Sequence, residues 1–191
     1  MGSNETAVLP TRHRVTVDEY YLMAEVGVLA PDARVELIDG EIIDMAPQKS
    51  RHASAVTELL NRLTAAAGGQ ARVACQVPLR LSPHNEPEPD LMLLRPRADG
   101  YADSHPGAAD VLLLVEVADS SARYDREIKV PLYALHLVAE VWIIDLQSGR
   151  VRFLRNLQNG EYADISSTDA PGATALPGLQ GVQVDLAGVL R

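Results

Sequence analysis

The sequence predicts an α/β (α+β) fold, a mixed β-sheet with helices on its faces, and three observations carry that reading. Residues 35–38 and 41–45 are β-rich runs joined by Asp39-Gly40, a dipeptide that supplies the positive φ angles of a tight hairpin turn. Between residues 50 and 67, Ala53, Val56, Leu59, Leu60 and Leu63 recur at helical spacing, and Gly68-Gly69 stops the run. Residues 111–117 are continuously apolar, as expected of a central strand covered on both faces.

The remaining elements fit around these three. Thr16-Val17-Asp18-Glu19 has the capping-box pattern and opens a short helix over 17–26, which Gly27 ends. Strands are expected over 71–82 and 90–94, separated by the Pro- and Glu-rich connection 84–89, and 95–109 reads as loop. A helical stretch follows over 124–138, which Pro131 either distorts or begins, with Asp119, Ser120 and Ser121 expected to cap it. Segments 141–146, 151–157 and 161–165 form a C-terminal β-meander through Ser148-Gly149 and Asn159-Gly160, and a short strand is expected over 182–184. The domain reading is a flexible segment over 1–15 and a single domain over 16–191.

Composition bounds the function. A chain of 191 residues that is 47% hydrophobic fits one domain with a substantial core. Its one cysteine, Cys75, has no internal partner, and no long apolar run suggests a membrane span or secretory leader, so the chain reads as cytoplasmic. The net charge of −9 argues against binding through a broad basic face. It leaves open a site whose carboxylates are neutralised by a bound metal. His84, His105 and His136 lack metal-ligand spacing, and neither Gly-x-Ser-x-Gly nor a phosphate-cradling Gly-rich loop occurs, so zinc, thiol and serine chemistry are not indicated.

Chemistry points instead to Asp90, Glu116 and Lys129. Side chains alternate along a strand, so Leu112, Leu114, Glu116 and Ala118 share one face, and Glu116 stands where a leucine is expected. Burying an unpaired carboxylate costs several kcal/mol, so that position requires a reason. Asp90, directly after Pro89, opens a strand at an end where neighbouring strand ends converge. Two carboxylates within about 4–6 Å repel unless a cation lies between them, and magnesium, with manganese as a substitute, is suited to such oxygen ligands.

With its motifs taken together, the chain resembles the PD-(D/E)XK restriction-endonuclease-like superfamily and, more closely, its bacterial Uma branch. The resemblance rests on Val35-Glu36-Leu37-Ile38-Asp39-Gly40-Glu41, Pro47 with His52, Glu88-Pro89-Asp90, Leu114-Val115-Glu116-Val117, Asp125-Arg126-Glu127-Ile128-Lys129 with Tyr133, and Glu140-Val141-Trp142-Ile143-Ile144-Asp145. It implies a restriction-endonuclease-like sheet, magnesium held by Asp90, Glu116 and the carbonyl of Val117, and cleavage of DNA phosphodiesters by a homodimer. Lysine usually lies two residues after the glutamate in this pattern, where this chain has Ala118, and Lys129 resembles the migrated replacement. Acting on water and phosphate, Lys129 is expected to be replaceable without loss of stability. Glu36 and His52 match further positions, as a third carboxylate and as a phosphate contact or proton carrier. The alternatives are a catalytically inactive nuclease-fold binding protein and a hydrolase of small phosphorylated substrates.

Overall fold

The structure is a computed structural model describing residues 11–190. Residues 1–10, most of the segment expected to be flexible, and Arg191 lie outside the described residues. A six-stranded mixed sheet forms the centre, in the order β3 (Arg72–Cys75), β4 (Leu91–Leu94), β5 (Val111–Ala118), β6 (Val141–Asp145), β7 (Arg150–Gln158) and β8 (Glu161–Thr168). Only β5 and β6 pair in parallel, and they are joined by the helical stretch 122–135. That crossover carries the chain back over one face, as a parallel connection requires.

Helix α1 (Val17–Glu25) begins with the expected capping box. The Glu19 N–H donates to Thr16 Oγ1 at 3.2 Å and the Thr16 N–H to Glu19 Oε2 at 2.7 Å, so two otherwise unpaired donors are satisfied. Helix α2 (Ser50–Ala67) covers the face of the sheet carrying Leu91, Leu113, Val115 and Val117. Its buried stripe is Ala55, Val56, Leu59, Leu63 and Ala67, whereas Ala53 is exposed and Leu60 half-buried. The stripe is thus rotated toward Ala55 and Ala67, small residues that let the helix lie close to the sheet. The opposite face packs Met92, Leu114, Ala118 and Ile143 against Tyr133 and Ala134 of the crossover helix.

Alternation along β5 holds from Leu113 to Ala118. It fails at Leu112, which packs on the α2 side although the two-residue period puts it with Leu114. A register shift between Leu93 and Leu94 of the neighbouring strand, which pairs Leu94 with Val111, accounts for the change of face. The expected strand 71–82 is regular only over β3. Gln76 has φ of 52°, which breaks the ladder, and beyond it Arg80 and Ser82 make isolated bridges.

The hairpin β1 (Val35–Ile38) and β2 (Glu41–Asp44) forms a separate two-stranded sheet, as do β9 (Ala173–Ala175) and β10 (Gln183–Asp185). Asp39 and Gly40 both have positive φ, 54° and 76°, as the turn demands. A Cβ at Gly40 would lie 2.6 Å from Arg14 Cβ, where the chain entering α1 crosses the turn and the Val15 N–H donates to the Gly40 carbonyl. Gly40→Ala is therefore expected to cost roughly 2 kcal/mol or more from strain and displacement of that crossing. Urea unfolding measures it, and an unchanged midpoint contradicts the reading.

The crossover helix is broken into three parts. A turn of α-helix, α3 (Ala122–Tyr124), runs into a π-helical turn (Asp125–Lys129) and then α4 (Val130–Leu135). Pro131 sits in the first turn of α4, where its missing N–H is tolerated, and the wider turn before it closes through Val130 N–H to the Asp125 carbonyl. Ser121 makes no capping bond; its hydroxyl donates to Asp125 Oδ2 at 2.7 Å instead. Asp125, Lys129 and Tyr133, spaced by four, all turn inward to the sheet.

Candidate active site

The C-terminal end of β5 is where the chemistry-bearing residues meet. Glu116 lies on the crossover-helix face and is 3% exposed, as a leucine there would be. Its Oε1 accepts from Tyr133 Oη at 2.6 Å and from Lys129 Nζ at 3.2 Å. Lys129, itself 4% exposed, also pairs with Glu36 Oε2 at 3.0 Å. Glu36 is buried within β1 and takes a second hydrogen bond from the Glu88 N–H at 3.2 Å. One ammonium thus bridges the hairpin and the central strand, and one of its three N–H donors is left uncommitted.

Asp90 precedes β4, level with the end of β5. Its Oδ2 accepts the Val117 N–H at 2.9 Å and lies 3.1 Å from His52 Nε2, while Gln76 Nε2 donates to Oδ1 at 3.2 Å. The Asp90 N–H in turn points at Glu116 Oε2, 3.4 Å away. The Leu114 N–H and the Ala118 carbonyl bond on the β6 side, to the Glu140 carbonyl and the Leu146 N–H, so the backbone groups of 115 and 117 point the other way, toward β4, and the Val117 carbonyl is directed to the same side as its N–H. His52 reaches Asp90 from the first turn of α2, with 14% of its side chain exposed. Glu36, His52, Asp90, Glu116, Val117 and Lys129 therefore all border one cleft.

The electrostatics follow from burial and neighbours. Burial pushes the Glu116 carboxyl well above the carboxylate range, against the opposing pull of Lys129. The same burial works against the Lys129 charge, but Glu116, Glu36 and Asp125 outweigh it and hold the ammonium above the ordinary lysine value. The surrounding carboxylates thus favour the charged, hydrogen-bond-donating form of Lys129. Burial also opposes the charge on Asp90, yet the contacts from His52, Val117 and Gln76 outweigh it and keep the carboxyl below its usual range. His52 is raised, first through its bond to Asp90. Asp125 and Glu88 are both pushed up by burial.

The geometry argues against one expectation. A lysine enclosed by Glu36 and Glu116 is part of the fold's charge balance, so its removal is expected to cost stability. Other site residues were hidden in the sequence. Gln76 carries no motif, and its contact with Asp90 depends on its left-handed backbone. Tyr124, Asp125 and Glu88 line the cleft as well. The four-residue spacing of Asp125, Lys129 and Tyr133 is the signal that could have placed Asp125 with the other two.

Among the described residues, no three His, Cys, Asp or Glu side chains surround a single point as a ready-made metal site. The reason is visible in the bonding: Oε1 of Glu116 and Oδ2 of Asp90 are each turned onto protein donors. Oxygen donors nevertheless dominate. Seven carboxylates, of Glu36, Asp44, Glu88, Asp90, Glu116, Asp119 and Asp125, line the cleft, against Arg34, Lys49 and Lys129 with His52. An excess of hard, partly buried anions suits a divalent cation that keeps several waters and takes few protein ligands.

A mixed six-stranded sheet with a helical crossover over one face, and carboxylates and a lysine at its central strand end, defines an α+β protein of nuclease-like architecture. A crystal structure described as "a putative nuclease belonging to DUF820", from Anabaena variabilis, superposes with a TM-score of 0.62 at 17% identity, covering 85% of this chain and 89% of that one. The family model Uma2, described as "Putative restriction endonuclease", matches residues 17–187, and the chain belongs to that family. No curated protein matches it. No helix among the described residues is long and apolar enough to cross a membrane.

Proposed function

We propose that the protein is a metal-dependent hydrolase of DNA phosphodiester bonds. The observation that carries this reading is the meeting of Asp90, Glu116 and Lys129, from a loop end, a buried strand and a helix, at the floor of one cleft. Asp90 and Glu116 would hold magnesium or manganese, with the Val117 carbonyl beside them. Glu116 Oε2 has only the long contact from the Asp90 N–H, so a lone pair remains for that role. The bound ion would polarise a phosphate oxygen and acidify a water.

The protein's own groups do the positioning. Tyr133 and Lys129 fix Oε1 of Glu116, leaving Oε2 to face the cleft. The uncommitted N–H of Lys129 can orient a water or stabilise charge developing on a phosphate oxygen. His52 and Gln76 hold the two oxygens of Asp90, so the carboxylate is oriented before any ligand arrives. Glu36 keeps the Lys129 ammonium in place rather than standing free as a third ligand.

Glu116→Gln separates this function from mere folding. The amide oxygen of glutamine can still accept from Tyr133, and Lys129 retains Glu36, so unfolding free energy without metal should stay within about 1 kcal/mol of wild type. DNA cleavage in magnesium or manganese should be lost, because a neutral amide is a weak ligand for a hard cation. Gel assays on both proteins check it. Cleavage that survives in the variant removes Glu116 from the mechanism. The family relationship and the nuclease-like fold support the reading. A protein that binds DNA and never cuts it is the competing outcome.

A further inference from the structure

A polyanion entering this cleft meets a lining in which carboxylates outnumber cations, and one divalent ion offsets only part of that excess. The lysines and arginines of the lining are few enough to compare one by one. Lys129 is enclosed and committed to Glu36 and Glu116. Lys49 is exposed but lies 3.7 Å from Asp119, which answers its charge. Arg34 is exposed as well, and among the described residues it forms no ion pair with any carboxylate. Its one side-chain hydrogen bond among those residues is long, 3.4 Å from Nη1 to the Ala46 carbonyl. In a cleft rich in carboxylates, this one guanidinium is left available.

The hairpin sets where Arg34 stands. The Met45 N–H donates to the Arg34 carbonyl at 2.8 Å, so the ladder between β1 and β2 extends one residue beyond Val35. Side chains alternate along it, which puts Arg34 on the same face as Glu36, the buried partner of Lys129. Two strand residues span about 7 Å, so Arg34 lies that far along the strand from the floor carboxylate, in solvent where Glu36 is enclosed. Its charge reaches the groups below it. It works against the rise that burial imposes on Glu88, and against the rise that the bond to Asp90 gives His52. A guanidinium offers five N–H donors in a planar fork that matches phosphate oxygens. Only one of these is engaged here, and by the long contact to Ala46.

From this juxtaposition we infer that Arg34 is a substrate-binding residue: its guanidinium grips a backbone phosphate beside the scissile one, on the hairpin side of the cleft. The inference rests on the DNA reading above and adds where the substrate backbone is held. An acidic chain then needs no broad basic face at this point, because the metal and Arg34 supply positive charge at two neighbouring phosphates.

Fluorescence anisotropy of the full chain with a labelled DNA duplex tests it without relying on activity, with calcium as the oxygen-seeking divalent ion and salt varied over about 50–200 mM. Arg34→Ala should weaken binding by about 5–10-fold near 0.1 M salt and flatten the slope of log affinity against log salt by about 0.9, the loss of one phosphate contact. Arg34→Lys keeps the charge but not the fork, so it should restore the slope with an affinity between the other two. Arg95, exposed at the end of β4 opposite Asp90, is the comparison, and Arg95→Ala should leave affinity and slope unchanged. Both arginines are exposed, so the melting temperatures of all these variants should match wild type. An Arg34→Ala protein with wild-type affinity and slope, or an Arg95→Ala protein weakened to the same extent, overturns the inference and leaves DNA hydrolysis standing. Wild-type protein without affinity for DNA in calcium or in magnesium overturns both.

Discussion

Lys129→Met is expected to abolish the proposed metal-dependent DNA cleavage and, at neutral pH, to lower unfolding free energy by about 3–5 kcal/mol, the cost of leaving buried carboxylates without their counter-ion. The side chain is 4% exposed and lies 3.0 Å from Glu36 and 3.2 Å from Glu116, both so nearly enclosed that solvent recovers little of the lost charge pairing. The loss should depend on pH, and the sign can be worked out. Glu116 already sits above the carboxylate range through burial, and without the ammonium it moves further up. A group whose folded pKa exceeds its unfolded value adds stability that is complete below the unfolded pKa and disappears as pH rises through the folded one. The variant should therefore regain stability relative to wild type as pH falls toward the ordinary glutamate value of about 4.3. Denaturant titrations of both proteins across pH 4–8 measure it. A variant as stable as wild type at pH 7 contradicts the bridging role.

Magnesium or manganese is expected to raise the melting temperature. A ligand that binds only the folded chain at 100 times its dissociation constant adds about 2.7 kcal/mol. For a domain of this size each kcal/mol shifts the midpoint by roughly 2–4 °C, so millimolar metal should move it by about 5–10 °C. The physical source is relief of repulsion among the carboxylates of the cleft, where Asp90 pairs with His52 and Glu116 with Lys129 and the carboxylates outnumber the cations. Asp90→Asn should remove most of the shift. Scanning calorimetry with chelator and with added metal checks this, and an unchanged midpoint in millimolar metal counts against a metal site.

Much of this site was legible because its residues violate local expectation. Glu116 interrupts an apolar strand, and a charged group in a core position is intelligible only with partners from elsewhere in the fold. Asp90 and Lys129 needed the family pattern, since a loop-end aspartate and a helix lysine are ordinary on their own. The hairpin, α2 and β5 followed from turn chemistry and periodicity, which are local signals. What the sequence concealed depended on distant contacts. Gln76 bonds Asp90 only because its backbone turns left-handed at the end of β3. Leu112 changes face through a register shift in the strand beside it. Glu36, expected as a third carboxylate, is enclosed and paired with a lysine on a helix far along the chain, a contact that no local pattern shows. Lys129, read as a group free to act on water, is also a structural cation for the same reason.

The most direct measurement is the fate of an end-labelled oligonucleotide, offered both single-stranded and annealed as a duplex, incubated with wild-type protein and with Asp90→Asn, each in chelator and in magnesium or manganese. The structure predicts internal cleavage by the wild-type protein only when metal is present, and none by Asp90→Asn, whose amide oxygen can still accept the Val117 N–H while Gln76 turns its own amide to accept from the new NH2. Equal cleavage by the two proteins, or an uncut oligonucleotide with wild-type protein at every metal concentration, would contradict the assignment of Asp90, Glu116 and Lys129 to phosphodiester hydrolysis.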